Sequence, residues 1–393
     1  MRDIGLELDN ATSALSIDHD PETRPAILDL CMAPGGFSAA ALERNPSALL
    51  RGISLPRTLG GHEMLLRSWS DTDPEASTYV DFRDITLLAE EMGTPLSSIP
   101  AAHPDAASFS ADRPFLDQKF DLVFCDGQVL RTHERPECMF PGIPLDLASS
   151  RPSSHLLPIL NTQPSTLSTS PLHPCPKHNP PPQSPTPSVP NKTPQKTPDR
   201  QNNEPTRLTT SQLTLALTRL RPGGTLVMLL HKADAWPSVR LIHTLWKLAG
   251  DGGVVLHKPR RAHKTRSSFY VVARGVRVEG ADVEGVVEGW RGAWRGATFG
   301  GFEGVEGGVR VGGDESGEGV GKEVGNGDGG EEGDDGENGG REFGWEKECR
   351  AVLEEFGETL AKLTEPVFAV QAEALKKAPW MKNTSVSWGG KRT

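Results

Sequence analysis

The sequence predicts an α/β fold in which helices flank a mostly parallel sheet. Three observations lead to this prediction. Apolar runs alternate with helical patterns from residue 26 to about residue 135, the same alternation resumes near residue 207, and a Pro-rich stretch separates the two parts. Strands separated by helices are typical of βαβ units and of a parallel sheet.

The first part contains four strand patterns and two helix patterns. The run "AILDLCM" predicts a buried strand, and "GFSAAALER" predicts the helix that follows it. The stretches "ALLRGISL" and "TYVDF" predict two more strands, "ITLLAEEMG" predicts a helix, and "FDLVFCDG" predicts a fourth strand.

The second part predicts an antiparallel end to the sheet. The stretch "TSQLTLALTRLRPGGTLVMLLHK" predicts a helix, a tight Pro-Gly-Gly turn and a strand, and "SVRLIHTLWKLAG" predicts another helix. The stretch "GVVLHKPRRAHKTRSSFYVVARGV" predicts two strands joined by a basic loop, an antiparallel pair that closes the sheet.

Composition divides the rest of the chain. Residues 141–206 hold 17 of the 33 prolines, which predicts a flexible, partly polyproline linker. Residues 301–340 contain 12 acids and 2 bases, so the net charge of −10 is concentrated there. The expected organisation begins with an N-terminal segment at 1–25 that also fits a truncated helix, followed by two α/β parts at 26–140 and 207–280 on either side of the Pro-rich segment at 141–206. A Gly-rich acidic segment at 281–340 and a C-terminal helical segment at 341–393 follow, and the latter either packs on the domain or stands apart.

Cysteine usage and hydropathy exclude several classes of protein. Five cysteines with no CxxC pair suggest neither a disulfide framework nor a zinc site, and we expect no metal. Cys31 and Cys125 lie in apolar runs and are expected to be buried thiols. The N-terminus lacks an apolar signal region, and no apolar run is long enough to span a membrane. We therefore expect no membrane contact and an intracellular protein, cytoplasmic or nuclear.

The stretch that begins with Asp29 and continues through Ala33-Pro34-Gly35-Gly36 predicts a cradle for a cofactor. Glycines let the backbone approach a ligand, and the following helix directs unpaired N–H groups at it. The turn is neither GxGxxG nor GxxxxGK[ST], and it has no lysine to neutralise a polyphosphate. A ligand with one carboxylate fits better, such as the methionyl end of S-adenosyl-L-methionine. The alternative is an ordinary tight loop between a strand and a helix.

Five segments in order strengthen the cofactor interpretation. The stretches "DLCMAPGGFS", "VDFRD", "FDLVFCDG", "LRPGGTLVMLLHK" and "KPRRAHKTRSSFYVVA" together resemble the FtsJ-like family of Rossmann-fold, S-adenosylmethionine-dependent RNA methyltransferases. The resemblance covers about residues 26–135 and 207–275, and "DLxxAPGGFS" is its most specific part. The Pro-rich segment at 141–206 falls where the family has its loop after the fourth strand, so the resemblance implies a disordered insertion into one methyltransferase domain. It implies transfer of a methyl group to the ribose 2′-hydroxyl of RNA.

The resemblance also implies which residues bind the cofactor. Gly35, Gly36 and Phe37 would line its amino-acid end, and Asp81 of "VDF" would reach its adenine side. The full set expected to contact the cofactor is Asp29, Ala33, Pro34, Gly35, Gly36, Phe37, Asp81 and Asp126. Where the family usually has an acid for the ribose hydroxyls, at the end of the second strand, this chain has Ser54.

Family catalysis uses a Lys-Asp-Lys-Glu set, which this sequence matches in part. Asp126 matches the Asp, and Lys232 matches the second Lys, the usual candidate for the base. A ribose hydroxyl is a poor nucleophile, so methyl transfer needs a base that is well placed. Ser268 stands at the Glu position, and residues 1–25 contain no lysine.

The loop "HKPRRAHKTR" is the expected RNA contact. The cations assigned to RNA are Lys258, Arg260, Arg261, Lys264 and Arg266. Such a cluster beside a cofactor cleft suits a phosphate backbone. The alternative is a solvated hairpin loop.

The leading functional hypothesis is methyl transfer from S-adenosyl-L-methionine to an RNA ribose 2′-hydroxyl, with protein partners unknown. A catalytically inactive RNA- or protein-binding module is the first alternative, because two catalytic positions are unmatched. A methyltransferase for a small molecule or a protein is the second. The tryptophans of "GWRGAWRG" fit either a base-stacking platform or, as favoured here, a helix face packed on the core.

Overall fold

A computed structural model describes residues 1–19, 22–129, 198–300 and 344–378 of the chain. Within these ranges lie seven strands and six α-helices. The strands are β1 (Ala26–Leu30), β2 (Leu49–Ser54), β3 (Thr78–Phe82), β4 (Phe120–Cys125), β5 (Leu220–His231), β6 (Val254–His257) and β7 (Ser268–Val276). The helices are α1 (Arg2–Thr12), α2 (Gly36–Arg44), α3 (Pro198–Arg219), α4 (Trp236–Ala249), α5 (Ala281–Phe299) and α6 (Gly344–Lys376).

The seven strands form one sheet in the order β3-β2-β1-β4-β5-β7-β6. Strands β3 to β5 pair in parallel, whereas β7 is antiparallel to both of its neighbours. The predicted fold class, a mostly parallel α/β sheet with an antiparallel last strand, is confirmed. All five residues of β1 are buried, as expected for a central strand covered on both faces. The strand order reverses between β1 and β4, and ligands of open α/β sheets bind at the carboxyl ends of the strands at such a point.

Helix α1 packs closely on α2. A Cβ on Gly5 would lie only 2.9 Å from the Cβ of Ala40 in α2, so a larger residue would push the helices apart. Ile4 and Leu8 are buried in the same cluster as Phe37. Residues 2–12 of the predicted N-terminal segment therefore form a helix that contributes to the core.

The α-helix predicted for "ITLLAEEMG" is wrong. Only Ile85–Leu87 form a short 3₁₀ turn. Side chains of α5 donate hydrogen bonds to backbone carbonyls of this stretch. In an α-helix, these carbonyls would instead accept hydrogen bonds from N–H groups of the same helix. Trp294 Nε1 donates to the Thr86 carbonyl at 3.1 Å, and Arg291 Nε donates to the Glu91 carbonyl at 3.1 Å. The local conformation thus depends on a helix that lies far along the chain.

Helix α5, Ala281–Phe299, occupies the first part of the stretch that the sequence assigned to the Gly-rich acidic segment. Trp294 is fully buried, and its ring contacts those of Phe109 and Phe299 with centroids 6.0 and 5.6 Å apart. The interpretation of "GWRGAWRG" as a helix face packed on the core is confirmed. The burial of large side chains at helical spacing therefore outweighs the loss of helix stability that the intervening glycines cause.

Helix α6 packs on α4, which settles the two arrangements left open for the C-terminal helical segment. Phe356 is fully buried, and its ring centroid lies 5.1 Å from that of Trp246 and 5.2 Å from that of His243. Glu355 Oε2 lies 3.0 Å from His243 Nε2 at the rim of this contact.

The Pro-Gly-Gly turn predicted before the fifth strand lies inside β5. Helix α3 runs directly into this strand at Leu220, and it begins at Pro198, within the stretch assigned to the insertion. Gly223 has φ +80°, a conformation that favours glycine, and the pairing register with β4 shifts before Leu122. The glycines therefore form an irregularity in the strand instead of a separate loop.

Some sequence predictions fall outside the described residues. Most of the Pro-rich insertion, the acidic segment from 301 to 340, Cys138 and Cys175 lie there. Of the other thiols, Cys125 is buried as expected and Cys31 is half-buried. Among the helices the structure describes, none combines the length and apolar character needed to cross a membrane. In the same ranges, no cluster of His, Cys, Asp or Glu could hold a metal ion.

Candidate active site

The carboxyl half of β1 carries a buried acid. Asp29 is 3% exposed, and its Oδ2 accepts a hydrogen bond from the Ser38 hydroxyl of α2 at 2.5 Å. Burial raises the pKa of Asp29 to about 7, although the Ser38 hydrogen bond favours the ionised form. Ser38 therefore ties α2 to the strand that precedes it.

The turn between β1 and α2 needs both of its glycines. Gly35 is the N-cap of α2 and has φ +88°, a left-handed conformation that favours glycine. A Cβ on Gly35 would lie 3.2 Å from Met64 Sδ, and a Cβ on Gly36 would collide with Met1. The first N–H groups of α2 follow this turn and have no partner within the helix.

A loop that the sequence did not single out lies against this turn. Residues 55–77 connect β2 to β3, and the Leu65 N–H donates to the Pro34 carbonyl at 3.1 Å. The Met64 and Leu66 side chains approach Gly35. No motif marks this loop, because its contact with the turn arises only when β1 and β2 pair side by side.

Two side chains support the turn from the sheet. The Ser54 hydroxyl accepts the Ala33 N–H at 3.2 Å, so Ser54 holds the turn at the position where the family usually has an acid. Phe37 is 4% exposed, and its ring packs between Phe124 and Tyr270 with centroids 5.4 and 5.2 Å away. The Phe37 side chain is therefore part of the core beneath the turn.

Asp126 follows β4 and lies beside Asp29. Burial raises the pKa of Asp126 to about 8, and the charge of Asp29 adds to this shift. Asp126 Oδ1 and the Tyr270 hydroxyl are both buried. Burial, followed by the charge of Asp126 and a hydrogen bond between the two side chains, raises the pKa of Tyr270 far above its usual value. The same hydrogen bond favours the ionised form of Asp126, so the two side chains act as a pair.

Gln212 of α3 fixes the backbone next to Asp126, and sequence reasoning missed it. Its Oε1 accepts the Gly127 N–H at 2.8 Å, and its Nε2 donates to the Gly127 carbonyl at 3.3 Å. A Cβ on Gly127 would collide with Cys31 Sγ, so the ends of β1 and β4 approach closely there. No local signal identifies Gln212, which sits in an ordinary helix pattern.

Lys232 follows β5 at the same edge of the sheet as Asp126. It is exposed, its φ is +52°, and its N–H donates to the Ser267 carbonyl at 3.0 Å. The preceding His231 lies 2.8 Å from Gln128 through Nε2 and Oε1, which links the ends of β4 and β5. Ser268, at the position where the family has Glu, is 1% exposed.

Asp81 lies on β3, two strands away from β1. Its Oδ2 is 2.6 Å from Arg83 Nε, and Arg83 Nη1 is 2.8 Å from Asp112 Oδ2. The Asp81 carboxylate is therefore already paired with a cation at the outer part of this edge.

The basic loop, residues 258–266, connects β6 to β7 beside Lys232. Four of the five cations assigned to RNA are exposed: Arg260, Arg261, Lys264 and Arg266. Lys258 differs, because it is 3% exposed and its ammonium donates to the carbonyls of Arg266 and of Ser268, the latter at 2.7 Å. Burial lowers the pKa of Lys258 to about 8. Because its ammonium binds these backbone carbonyls, Lys258 is not available to an RNA phosphate.

The structure brings most of the predicted residues to one edge. Asp29 lies in the carboxyl half of β1, and the glycine turn, Asp126 and Lys232 follow the three adjacent parallel strands β1, β4 and β5. Because the strands are parallel, their carboxyl ends face the same side of the sheet. This edge combines a helix N-terminus, a buried carboxyl and an exposed lysine.

Comparisons with known proteins identify a family. The family described as FtsJ-like methyltransferase matches residues 6–276. No curated protein matches the chain. Among solved structures, the chain is similar to a Plasmodium falciparum protein provisionally described as a ribosomal RNA methyltransferase, with 16% identity, a TM-score of 0.32, and coverage of 69% of this chain and 94% of that one. It is also similar to human methyltransferase-like protein 13 in complex with SAH, with 11% identity, a TM-score of 0.30, and coverage of 75% and 90%.

Proposed function

Because the chain belongs to the FtsJ-like methyltransferase family, we propose that it transfers the methyl group of S-adenosylmethionine to a ribose 2′-hydroxyl of RNA. Methyltransferases of this family use S-adenosylmethionine. The proposal concerns the substrate of the transfer and the roles of individual residues. The observation that carries it is the placement of Asp126, Lys232 and the basic loop at one edge of the sheet.

The residues at this edge fit the cofactor. The glycine turn and the first N–H groups of α2 suit the single carboxylate of the methionyl end. Asp126 is a buried acid directly after β4, and its ionised carboxylate would stabilise a cationic sulfonium. Asp29, Ala33, Pro34, Gly35, Gly36 and Phe37 frame this part of the site, and Asp81 is proposed on the adenine side.

Lys232 is proposed as the base. In the reaction the ribose 2′-oxygen forms a bond to the methyl carbon, the carbon–sulfur bond breaks with its electrons left on sulfur, and the hydroxyl proton passes to the Lys232 amine. The Lys232 side chain is exposed, and its backbone N–H bonds to the Ser267 carbonyl, so Lys232 lies beside the basic-loop hairpin, where a docked RNA would arrive. Asp126 would stabilise the sulfonium or orient the amine.

RNA is the proposed substrate because of the exposed cations beside this amine. Arg260, Arg261, Lys264 and Arg266 lie in one loop of nine residues, and clustered cations of this kind bind consecutive phosphates. Their exposure distinguishes them from Lys258.

A catalytically inactive binding module is the second candidate. The buried Ser268 hydroxyl supplies no carboxylate where the family has Glu, and this observation favours a protein that keeps the fold and the RNA surface without turnover. The test is to incubate the protein with RNA and S-adenosylmethionine carrying a labelled methyl group. Recovery of label in 2′-O-methyl nucleosides supports the enzyme, and RNA binding without label supports the module.

Gly35→Ala should weaken S-adenosylmethionine binding at least about tenfold, because the new Cβ strains the left-handed backbone and presses on Met64. Isothermal titration calorimetry measures this effect. The matched control is Gly285→Ala on α5, where an added Cβ meets nothing within 4 Å. Equal affinity of the Gly35 variant and the wild type would remove the cofactor site from this turn.

Affinity for S-adenosylmethionine should rise with pH, by up to about tenfold per unit, until the pH passes the Asp126 pKa of about 8. Below this pH the carboxyl is neutral, and a bound sulfonium favours its ionised form, so binding releases a proton. S-adenosylhomocysteine carries no sulfonium and should show a smaller slope, and Asp126→Asn should remove the difference. Equal pH slopes for both ligands in the wild type would separate Asp126 from the sulfonium.

A further inference from the structure

Helix α1 contacts the basic loop through one carboxylate. Glu7 Oε1 accepts the Arg260 N–H at 2.6 Å, and Glu7 Oε2 accepts the Arg261 N–H at 3.4 Å. Glu7 Oε1 also lies 4.0 Å from His257 Nε2, at the end of β6. The Glu7 side chain is 19% exposed, so this contact lies at the edge of the core and not free in solvent.

Glu7 and Lys258 hold the loop from two sides. The buried Lys258 ammonium donates to carbonyls near the end of the loop, and Glu7 accepts N–H groups near its start. Both contacts use the loop backbone. The Arg260 and Arg261 side chains therefore stay exposed.

We propose that Glu7 is a positioning residue that fixes the basic loop in the conformation that presents Arg260 and Arg261 to RNA phosphates. This inference rests on the proposed function for its substrate. By its charge alone, Glu7 would weaken RNA binding, because a carboxylate beside a phosphate-binding loop repels RNA. A fixed loop, however, loses less conformational entropy when RNA binds.

These two effects have opposite signs, which makes the proposal testable. If Glu7 acts by charge alone, its removal should tighten RNA binding. If it positions the loop, its removal should weaken RNA binding although the surface becomes more positive.

The experiment compares Glu7→Ala, Glu7→Gln and a control, Glu43→Ala, in the full chain. Glu43 is an exposed acid on α2 that pairs with Arg2 and has no contact with the loop among the described residues. Glu7→Ala should raise the KM for RNA about five- to tenfold, the loss expected for a hydrogen bond of ordinary strength, with kcat and cofactor affinity within about twofold. Glu7→Gln keeps an acceptor oxygen and should recover part of the affinity, and Glu43→Ala should bind RNA at least as tightly as the wild type.

Hydrogen exchange supplies a readout that needs no activity. The Arg260 and Arg261 amides should exchange faster in Glu7→Ala, while β7 amides such as that of Val271 stay protected. Unchanged exchange at the two arginine amides, or RNA binding by Glu7→Ala that matches or exceeds the wild type, would overturn the proposal. RNA affinity from fluorescence anisotropy keeps this result separate from the proposed function: loss of affinity in Glu7→Ala without any methyl transfer by the wild type would reject the enzyme and retain the loop assignment.

Discussion

Lys232→Ala should lower kcat for RNA methylation by about 10²- to 10⁴-fold, the usual contribution of a general base. The KM for RNA and the affinity for S-adenosylmethionine should change by less than about twofold, since the amine acts on the reacting hydroxyl and not on the ligand as a whole. Alanine keeps the Cβ, so the backbone cost at φ +52° is the same as in the wild type. The hydrogen bond from the backbone N–H to Ser267 is also kept.

The matched control is Lys264→Ala, which removes the same side chain from the exposed basic loop. This variant should raise the KM for RNA and leave kcat close to the wild-type value. Single-turnover measurements with labelled cofactor separate the two effects. Wild-type kcat in Lys232→Ala would assign the base to another residue.

Reversing three charges of the basic loop, with Arg260→Glu, Arg261→Glu and Lys264→Glu combined, should weaken RNA binding by at least about 100-fold and abolish methylation of RNA. The three side chains are exposed, so their replacement leaves the core intact. The Glu7 contacts also survive, because they involve the backbone of the loop. Binding measured at several salt concentrations should lose about one unit of slope for each phosphate contact removed.

A triple reversal on α6, with Lys347→Glu, Arg350→Glu and Lys362→Glu, introduces the same change in net charge on another surface. It should leave RNA methylation within about threefold of the wild type, because neighbouring residues on this part of α6, Glu348 and Glu355, pair with α4 and not with the loop. If the loop variant still methylates its acceptor at the wild-type rate, the substrate is a small molecule or a protein instead of RNA. Equal losses in both triple variants would mean that net charge, and not this loop, sets RNA affinity.

Local patterns predicted most of the strands and the helices next to them. The run "AILDLCM" contains β1, and "GFSAAALER" coincides with α2, because a buried parallel strand and a capped helix each have a local signature. The helix predicted for the stretch after β3 does not form because of tertiary contacts: Trp294 and Arg291 bind the carbonyls of that stretch. The tryptophan spacing predicted part of helix α5, but the rest was assigned to the acidic segment because its glycines resemble those of that segment, whereas the burial of Trp294 stabilises the helix.

The candidate site was predictable where residues directly follow strands. Asp126 and Lys232 end β4 and β5, and parallel pairing places them at one edge. Glu7, Gln212 and Met64 could not be predicted, because each acts through a contact with a residue distant in the chain. The burial of Lys258 could not be predicted for a related reason. The sequence shows a cation in a basic loop, but it does not show that backbone carbonyls surround the ammonium in the folded chain.

The pairing of β4 with β5 has a consequence for how the protein folds. Cys125 on β4 pairs with Met228 on β5, about a hundred positions later. The ends of β4 and β5 therefore meet only when the long stretch of chain between them has closed into a loop. The entropy of such closure grows only with the logarithm of length, by about 0.6 kcal/mol for each doubling. Evolution can therefore lengthen or shorten the intervening stretch at little thermodynamic penalty, while the high contact order makes assembly of this half of the sheet a slow step of folding.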